Sequence, residues 1–208
     1  MRIARFLIRG VQIVYCQTRT SFTKTESPVR ILRRKAPVGK KIVSQLPPHG
    51  AWIEAFYGSA AVTLAKKAAP IEIINDHDRD VVNLFEQLRD NPDRLCKAIA
   101  FTPYARDEYR KARSNGTVDP LERARRFLVA TMMTINGTYN NGSGGFSISQ
   151  SYSRDNREAR VSRWYNLPDR LAVVVERLRS VRIENRDARD LVRTFSDRPA
   201  TLMYLDPP

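Results

Sequence analysis

The chain has 208 residues, a formal net charge of +14 and a sequence pI near 10.3, with 42% apolar residues. This length favours one domain with room for a small insertion, and the basic excess points to an anionic partner, nucleic acid first. Two cysteines, Cys16 and Cys96, exclude a disulfide framework and favour a reducing compartment, and no apolar run reaches the ~20 residues of a membrane helix.

The charge is uneven. Residues 1–41 hold eleven Lys and Arg against one acid, Glu26, so most of the net charge lies there. The first 30 residues are rich in Arg, Ser and Thr, and residues 1–33 read as a disordered basic extension outside the domain. An organelle transit peptide and a mis-assigned upstream start are the other readings of that composition. A basic loop free of acids, from Arg34 to Lys41, precedes a short helix over 42–46 that Pro47-Pro48 ends.

Residues 52–76 then read as strand, tight turn, helix, strand and acid. Residues 52–55 are a short apolar run, Phe56-Tyr57-Gly58-Ser59 a turn, 60–67 an Ala/Leu/Lys helix and 71–74 a buried strand, closed by Asn75-Asp76. A glycine between strand and helix lets a ligand approach the backbone, and an acid ending the next strand can accept from both hydroxyls of a ribose. One glycine is a weak fingerprint alone. The last line strengthens it: 201–205 is another strand, and Asp206-Pro207-Pro208 sits at its carboxyl end, where open α/β sheets bind ligands.

Phe56-x-Gly58, Asn75-Asp76 and Asp206-Pro207-Pro208, in that order around a long insert, resemble the DNA adenine-N6 methyltransferases of the Dam type. The resemblance covers about residues 34–208. It implies an α/β, Rossmann-like methyltransferase domain that binds S-adenosyl-L-methionine and carries a helical and loop insertion for DNA. The domain would comprise 34–103 and 166–208, with the insertion over 104–165. Lys35-x-x-x-Gly39-Lys40 is similar to the family's opening motif, which makes Lys40 the holder of the methionine carboxylate, although Ala36 and Val38 replace the family's aromatic and first glycine. Phe56, Gly58, Asp76, Asp187 and Asp206 are the implied cofactor-binding residues. Asp206, Pro207 and Pro208 are the implied catalytic ones. The family follows Asp-Pro-Pro with an aromatic residue and further strands that this sequence does not contain.

Between these landmarks lie helices over 78–89 and 91–100, a basic helix over 104–113, and a helix opened by Asp119-Pro120-Leu121-Glu122 whose Met/Leu stripe is core. His77 stands beside Asp76 and Asp78, but the only other histidine is His49, so metal binding is not expected. Residues 136–165 are rich in Asn, Gly, Ser and Arg with interleaved aromatics. Asn amides can pair with base edges, arginines can hold phosphates and rings can stack on an exposed base; an irregular solvent loop has the same composition. The resemblance makes this the target-recognition part, with Asn136, Tyr139, Asn140, Arg154 and Arg157 as DNA-binding candidates. A helix over 168–179, a strand over 181–183 and a helix over 187–195 complete the chain. Asp187 is either a contact to the cofactor's adenine or the cap of its helix.

The resemblance implies N6 methylation of a flipped adenine in double-stranded DNA by a monomer in the cytoplasm of a prokaryote or a phage host, with a cognate restriction endonuclease as a partner. Neither a membrane nor a metal is expected. A catalytically dead DNA-binding remnant and an RNA adenine methyltransferase are the alternatives. Cytosine-C5 methylation is disfavoured because neither cysteine follows a proline, and a nucleotide-dependent oxidoreductase leaves Asp206-Pro207-Pro208 without a role. With strands only at 52, 71, 181 and 201, the last strand would be an exposed edge, from which an unstable, inactive fragment of a longer enzyme is expected.

Overall fold

The computed structural model describes residues 2–8, 11–17, 41–114, 116, 119–135 and 145–207. Six strands form one sheet: β1 (Arg2–Ile8), β2 (Val11–Gln17), β3 (Ala51–Glu54), β4 (Ile71–Asn75), β5 (Arg182–Glu184) and β6 (Thr201–Leu205). Their spatial order is β1-β2-β6-β3-β4-β5, and every pairing is parallel except that of β1 with β2. The helices are α1 (Ala61–Ala65), α2 (Arg79–Asp90), α3 (Pro92–Ala100), α4 (Arg106–Arg113), α5 (Pro120–Met132), α6 (Ala159–Tyr165), α7 (Leu167–Leu178) and α8 (Ala188–Phe195). The Rossmann-like α/β expectation holds.

Parallel strands covered on both faces read as continuous apolar runs, and β3, β4 and β6 do so. Ile53, Ile73 and Met203 face α8 through Leu191 and Phe195, whereas Trp52, Leu202 and Tyr204 face Ile42 and Val62 on the opposite side. Helices α2, α3, α4, α5 and α7 share the largest core, centred on Phe85, Leu95, Ile99, Phe127, Leu128, Leu171 and Leu178, and Ile74 of the sheet packs into it. Helices α4 and α5, which lie in residues 104–165, thus share a core with the sheet. Trp164 of α6 joins it by donating its indole N–H to the Thr102 carbonyl at 2.7 Å.

Two elements come from a stretch expected to be a disordered extension. Residues 2–8 and 11–17 are strands, and the remainder of 1–33 lies outside the described residues. The arginines dominate that composition, but Val11-Gln12-Ile13-Val14-Tyr15 is a β-branched and aromatic run with Val11 buried on one face of the sheet and Val14 on the other. β2 lies parallel to β6 in the register Ile13 to Met203, Val14 to Tyr204 and Tyr15 to Leu205. β6 is therefore an interior strand with β3 on its other side, and the exposed edge from which instability was expected is not there. The helix at 159–165 also falls in a stretch expected to be loop.

β6 is entered through a turn in which Ala200 adopts φ +60° while its carbonyl accepts from the Gly50 and Ala51 amides at 2.9 and 3.1 Å. An L-residue in this left-handed region carries roughly 1–2 kcal/mol of steric cost that glycine avoids. Ala200 is exposed, so no buried methyl is lost on removing its side chain. Ala200→Gly is expected to stabilise the protein by about 1 kcal/mol, read as a higher urea midpoint at unchanged m-value; an unchanged or lowered midpoint would contradict this reading of the turn.

Candidate active site at the carboxyl ends of the strands

The carboxyl ends of β3, β4 and β5 meet at one place because Asn75, the last residue of β4, ties them together, and β6 joins through the Ala55 amide, which donates to the Tyr204 carbonyl at 3.2 Å. Its side-chain amide donates to the carbonyls of Ala55 and Arg186 at 3.0 and 3.1 Å, and its side-chain oxygen accepts from the Arg186 amide at 2.9 Å. Asn75 is buried and fully used in this role. The turn after β3 closes against the same residue, with the Tyr57 amide donating to the Asn75 carbonyl at 3.0 Å.

That turn needs two left-handed residues. Gly58 has φ +43° and Ala60 φ +49°. A side chain at Gly58 would meet nothing within 4 Å, so the glycine faces open space, with its backbone accessible to a ligand. The Gly58 amide donates to Asp76 Oδ2 at 2.8 Å, and the Asp78 amide donates to Oδ1 at 2.9 Å. Burial pushes the Asp76 carboxyl up, against these two bonds. Each oxygen keeps a further lone pair for an incoming hydroxyl.

Asp206 lies two residues beyond Tyr204 on the same face of β6. The Tyr204 hydroxyl donates to Asp206 Oδ2 at 3.3 Å, and the Tyr204 ring is stacked on Trp52 of β3 with centroids 5.9 Å apart. Burial raises the Asp206 carboxyl above the ordinary range. Phe56, Gly58, Asp76, Asp187 and Asp206 are all brought to the strand ends. Pro207 follows and is exposed. Lys40 and Pro208 lie outside the described residues.

Asp187 is the N-cap of α8: its Oδ1 accepts from the Arg189 amide at 2.8 Å, and the Arg189 guanidinium grips both oxygens. That pair holds its carboxyl well below the usual range. The capping role is thus occupied, at a position beside the β4 end where Asn185 donates to the Asp76 carbonyl at 2.7 Å.

One site residue escaped the sequence reading. Glu54, the last residue of β3, is buried on the same face as Trp52 and Tyr204. Its Oε2 accepts from the Thr63 amide at 3.1 Å and from the Thr63 hydroxyl, which itself accepts from Trp52 Nε1 at 2.6 Å. Burial pushes the Glu54 carboxyl up to about 8, and the neighbouring Asp206 charge adds to the rise. An acid that ends a strand just before a glycine turn was the available signal, masked by the apolar run around it.

Among the DNA-binding candidates, Asn136, Tyr139 and Asn140 lie outside the described residues. Arg154 is exposed. Arg157 is held locally, bonded to Asp155 at 2.7 Å and stacked 4.0 Å from the Tyr165 ring centroid. Tyr152, Tyr165 and Ile148 are exposed beside it. No group of His, Cys, Asp and Glu suited to a metal occurs among the described residues.

The residues fit a nucleoside that carries a positive charge. Asp76 could accept from a ribose beside the open backbone of Gly58, while Glu54 is a buried acid and Asp206 a half-buried one that no described lysine or arginine pairs with. A family model described as D12 class N6 adenine-specific DNA methyltransferase matches residues 35–208. No curated protein is matched. No helix among the described residues is long and apolar enough to cross a membrane.

A carboxyl raised by folding keeps its proton while the unfolded chain loses it, so stability falls as pH climbs from the ordinary Glu value near 4.5 to about 8, and the whole cost is present above that. Glu54→Gln keeps an oxygen to accept both Thr63 bonds and removes the titration. The variant is expected to flatten this decline and to exceed the parent at pH 8 by on the order of a few kcal/mol. Urea melts at pH 5 and pH 8 check it; equal pH dependence of the two proteins would show that Glu54 does not ionise in that window.

Proposed function

The chain belongs to the D12 class N6 adenine-specific DNA methyltransferase family, and from that premise we propose that it moves the methyl group of S-adenosyl-L-methionine to the N6 amine of an adenine turned out of duplex DNA. The observation that carries the reading is the meeting of Gly58, Asp76 and Asp206 at the ends of three adjacent strands. When bound, the cofactor supplies a methyl already made electrophilic by its sulfonium. The obstacle is then the acceptor, because an exocyclic adenine amine delocalises its lone pair into the ring.

Asp206 addresses that obstacle. Its carboxylate would accept one amine N–H and the Pro207 carbonyl the other, which draws the nitrogen toward tetrahedral geometry and localises its lone pair. Tyr204 holds Asp206 from below, and the stacking on Trp52 holds Tyr204. Acceptors fixed before the reaction need no reorganisation during it. Asp206 is also the base at hand for the proton that the amine sheds, and its partial burial raises its affinity for that proton. Asp76 would take the ribose hydroxyls, with Gly58 admitting the nucleoside close to the backbone. Lys40 is proposed for the methionine carboxylate and Phe56 for the wall of the cofactor pocket. The base must leave the duplex to reach Asp206. Residues 136–165, with Arg154 and the exposed Tyr152, are proposed to face the DNA.

The test is chemical. The protein is incubated with unmethylated duplex DNA and S-adenosyl-L-methionine, and the DNA is digested and its nucleosides weighed. N6-methyladenine is expected, and Asp206→Ala is expected to lower its rate by about 10²-fold or more while the melting temperature is kept. Methylation of another atom, or none with the cofactor bound, would overturn the assignment.

A further inference from the structure

Glu54 has no task in the chemistry just described, yet it is the most unusual ionisable group of the site. It is buried, it ends the strand that leads into the Gly58 turn, and it shares a face with Asp206. Its Oε2 is committed to Thr63, and no described cation pairs with it. The cationic group nearest in charge terms is Lys66, just after α1, but its Nζ is spent on Glu72 at 2.6 Å, and Arg177 of α7 closes on the same carboxylate at 2.5 Å. The other described groups around Glu54 do not neutralise it either. Tyr57 in the turn is a buried phenol whose own ionisation is opposed by burial and by Asp76. His49 lies against Trp52, with ring centroids 5.6 Å apart. Asp206 contributes charge of the same sign.

A carboxyl in this position is stable only while neutral, or while a cation stands beside it. The ligand proposed for the crevice brings one, since S-adenosyl-L-methionine carries a sulfonium and an ammonium against a single carboxylate. We propose that Glu54 is protonated in the free protein and releases its proton to solvent when the cationic amino-acid end of the cofactor docks beside Asp206, so that cofactor binding is proton-linked. This rests on the function proposed above. The proton passes from the Glu54 carboxyl to buffer, and no bond other than that O–H is broken. The arrangement makes the crevice selective: the empty site does not hold a second negative charge beside the half-buried Asp206, and that charge appears only with the ligand that compensates it. Glu54 acts here as a positioning group for the cofactor's charge, with Thr63 and Trp52 fixing its orientation.

Calorimetric titration of S-adenosyl-L-methionine into the protein, in buffers of different ionisation enthalpy at one pH, counts the protons exchanged. With the Glu54 carboxyl at about 8, about 0.9 of a proton is available at pH 7. Glu54→Gln is therefore expected to release fewer protons than the parent by close to that amount, and the difference is expected to shrink as the pH is raised through 8. Titrating groups that do not touch residue 54 contribute equally to both proteins and cancel, and below pH 7 the cofactor's amine is already protonated in both. An infrared difference spectrum of the unmutated protein gives a check that needs no variant: the protonated-carboxyl C=O band is expected to fall on adding cofactor at pH 7. Binding with equal proton counts in both proteins, or an unchanged carboxyl band, would overturn the inference and leave the function standing. Failure of the parent to bind either S-adenosyl-L-methionine or S-adenosylhomocysteine would overturn the function itself, and the inference with it.

Discussion

The parallel pairing of β6 with β3 is the constraint on which the site depends. Its register sets Tyr204 opposite Glu54, and the strand period of two then carries Asp206 past the end of β3 on the same face. A slip of one residue would turn Asp206 to the α8 side of the sheet and leave Tyr204 without its stack on Trp52. The register is held on both flanks of β6, since β2 pairs with the other edge and buries Val11 and Val14 against the two faces. β4 is locked into the same frame by Asn75, which satisfies three backbone groups at the ends of its neighbours. The acids of the site thus end strands that are paired on both sides.

Much of this was legible in the residues. The strand, turn, helix, strand and acid of 52–76 lie where the pattern put them, and so do the Asp119 and Asp187 caps and the final strand before Asp206. These signals are local: apolar runs, a glycine at positive φ, an aspartate before a helix. What stayed hidden depends on contacts distant in sequence. The strands at 2–8 and 11–17 were obscured because arginines weigh on composition, whereas pairing with β6 is decided by a short apolar run and by an available edge. Glu54 looked like one polar residue in an apolar strand; only the packing of α1 and β6 around it reveals a buried carboxyl. The sequence offers Arg157 as a DNA contact, and what it does not reveal is that its exposed guanidinium lies between Asp155 and the Tyr165 ring.

The packing of α4 and α5 has a structural consequence of its own. Their core is continuous with the one that covers Ile74, so the segment proposed for DNA recognition after α5 is mounted on packed helices. Thr134 bridges Phe146 across the ends of that segment, and Trp164 bonds back to Thr102. The Lys66, Glu72 and Arg177 cluster anchors the opposite end of β4 and commits the Lys66 ammonium to Glu72, so that Lys66 does not pair with Glu54.

The central claim is that the acids ending β3, β4 and β6 surround one cationic nucleoside. A crystal structure with S-adenosyl-L-methionine bound tests it most directly. The account predicts ribose hydroxyls on the Asp76 carboxylate, the nucleoside against Gly58, and the amino group beside Asp206 and Glu54. A nucleoside seated elsewhere, or one whose ribose faces away from Asp76, would contradict it.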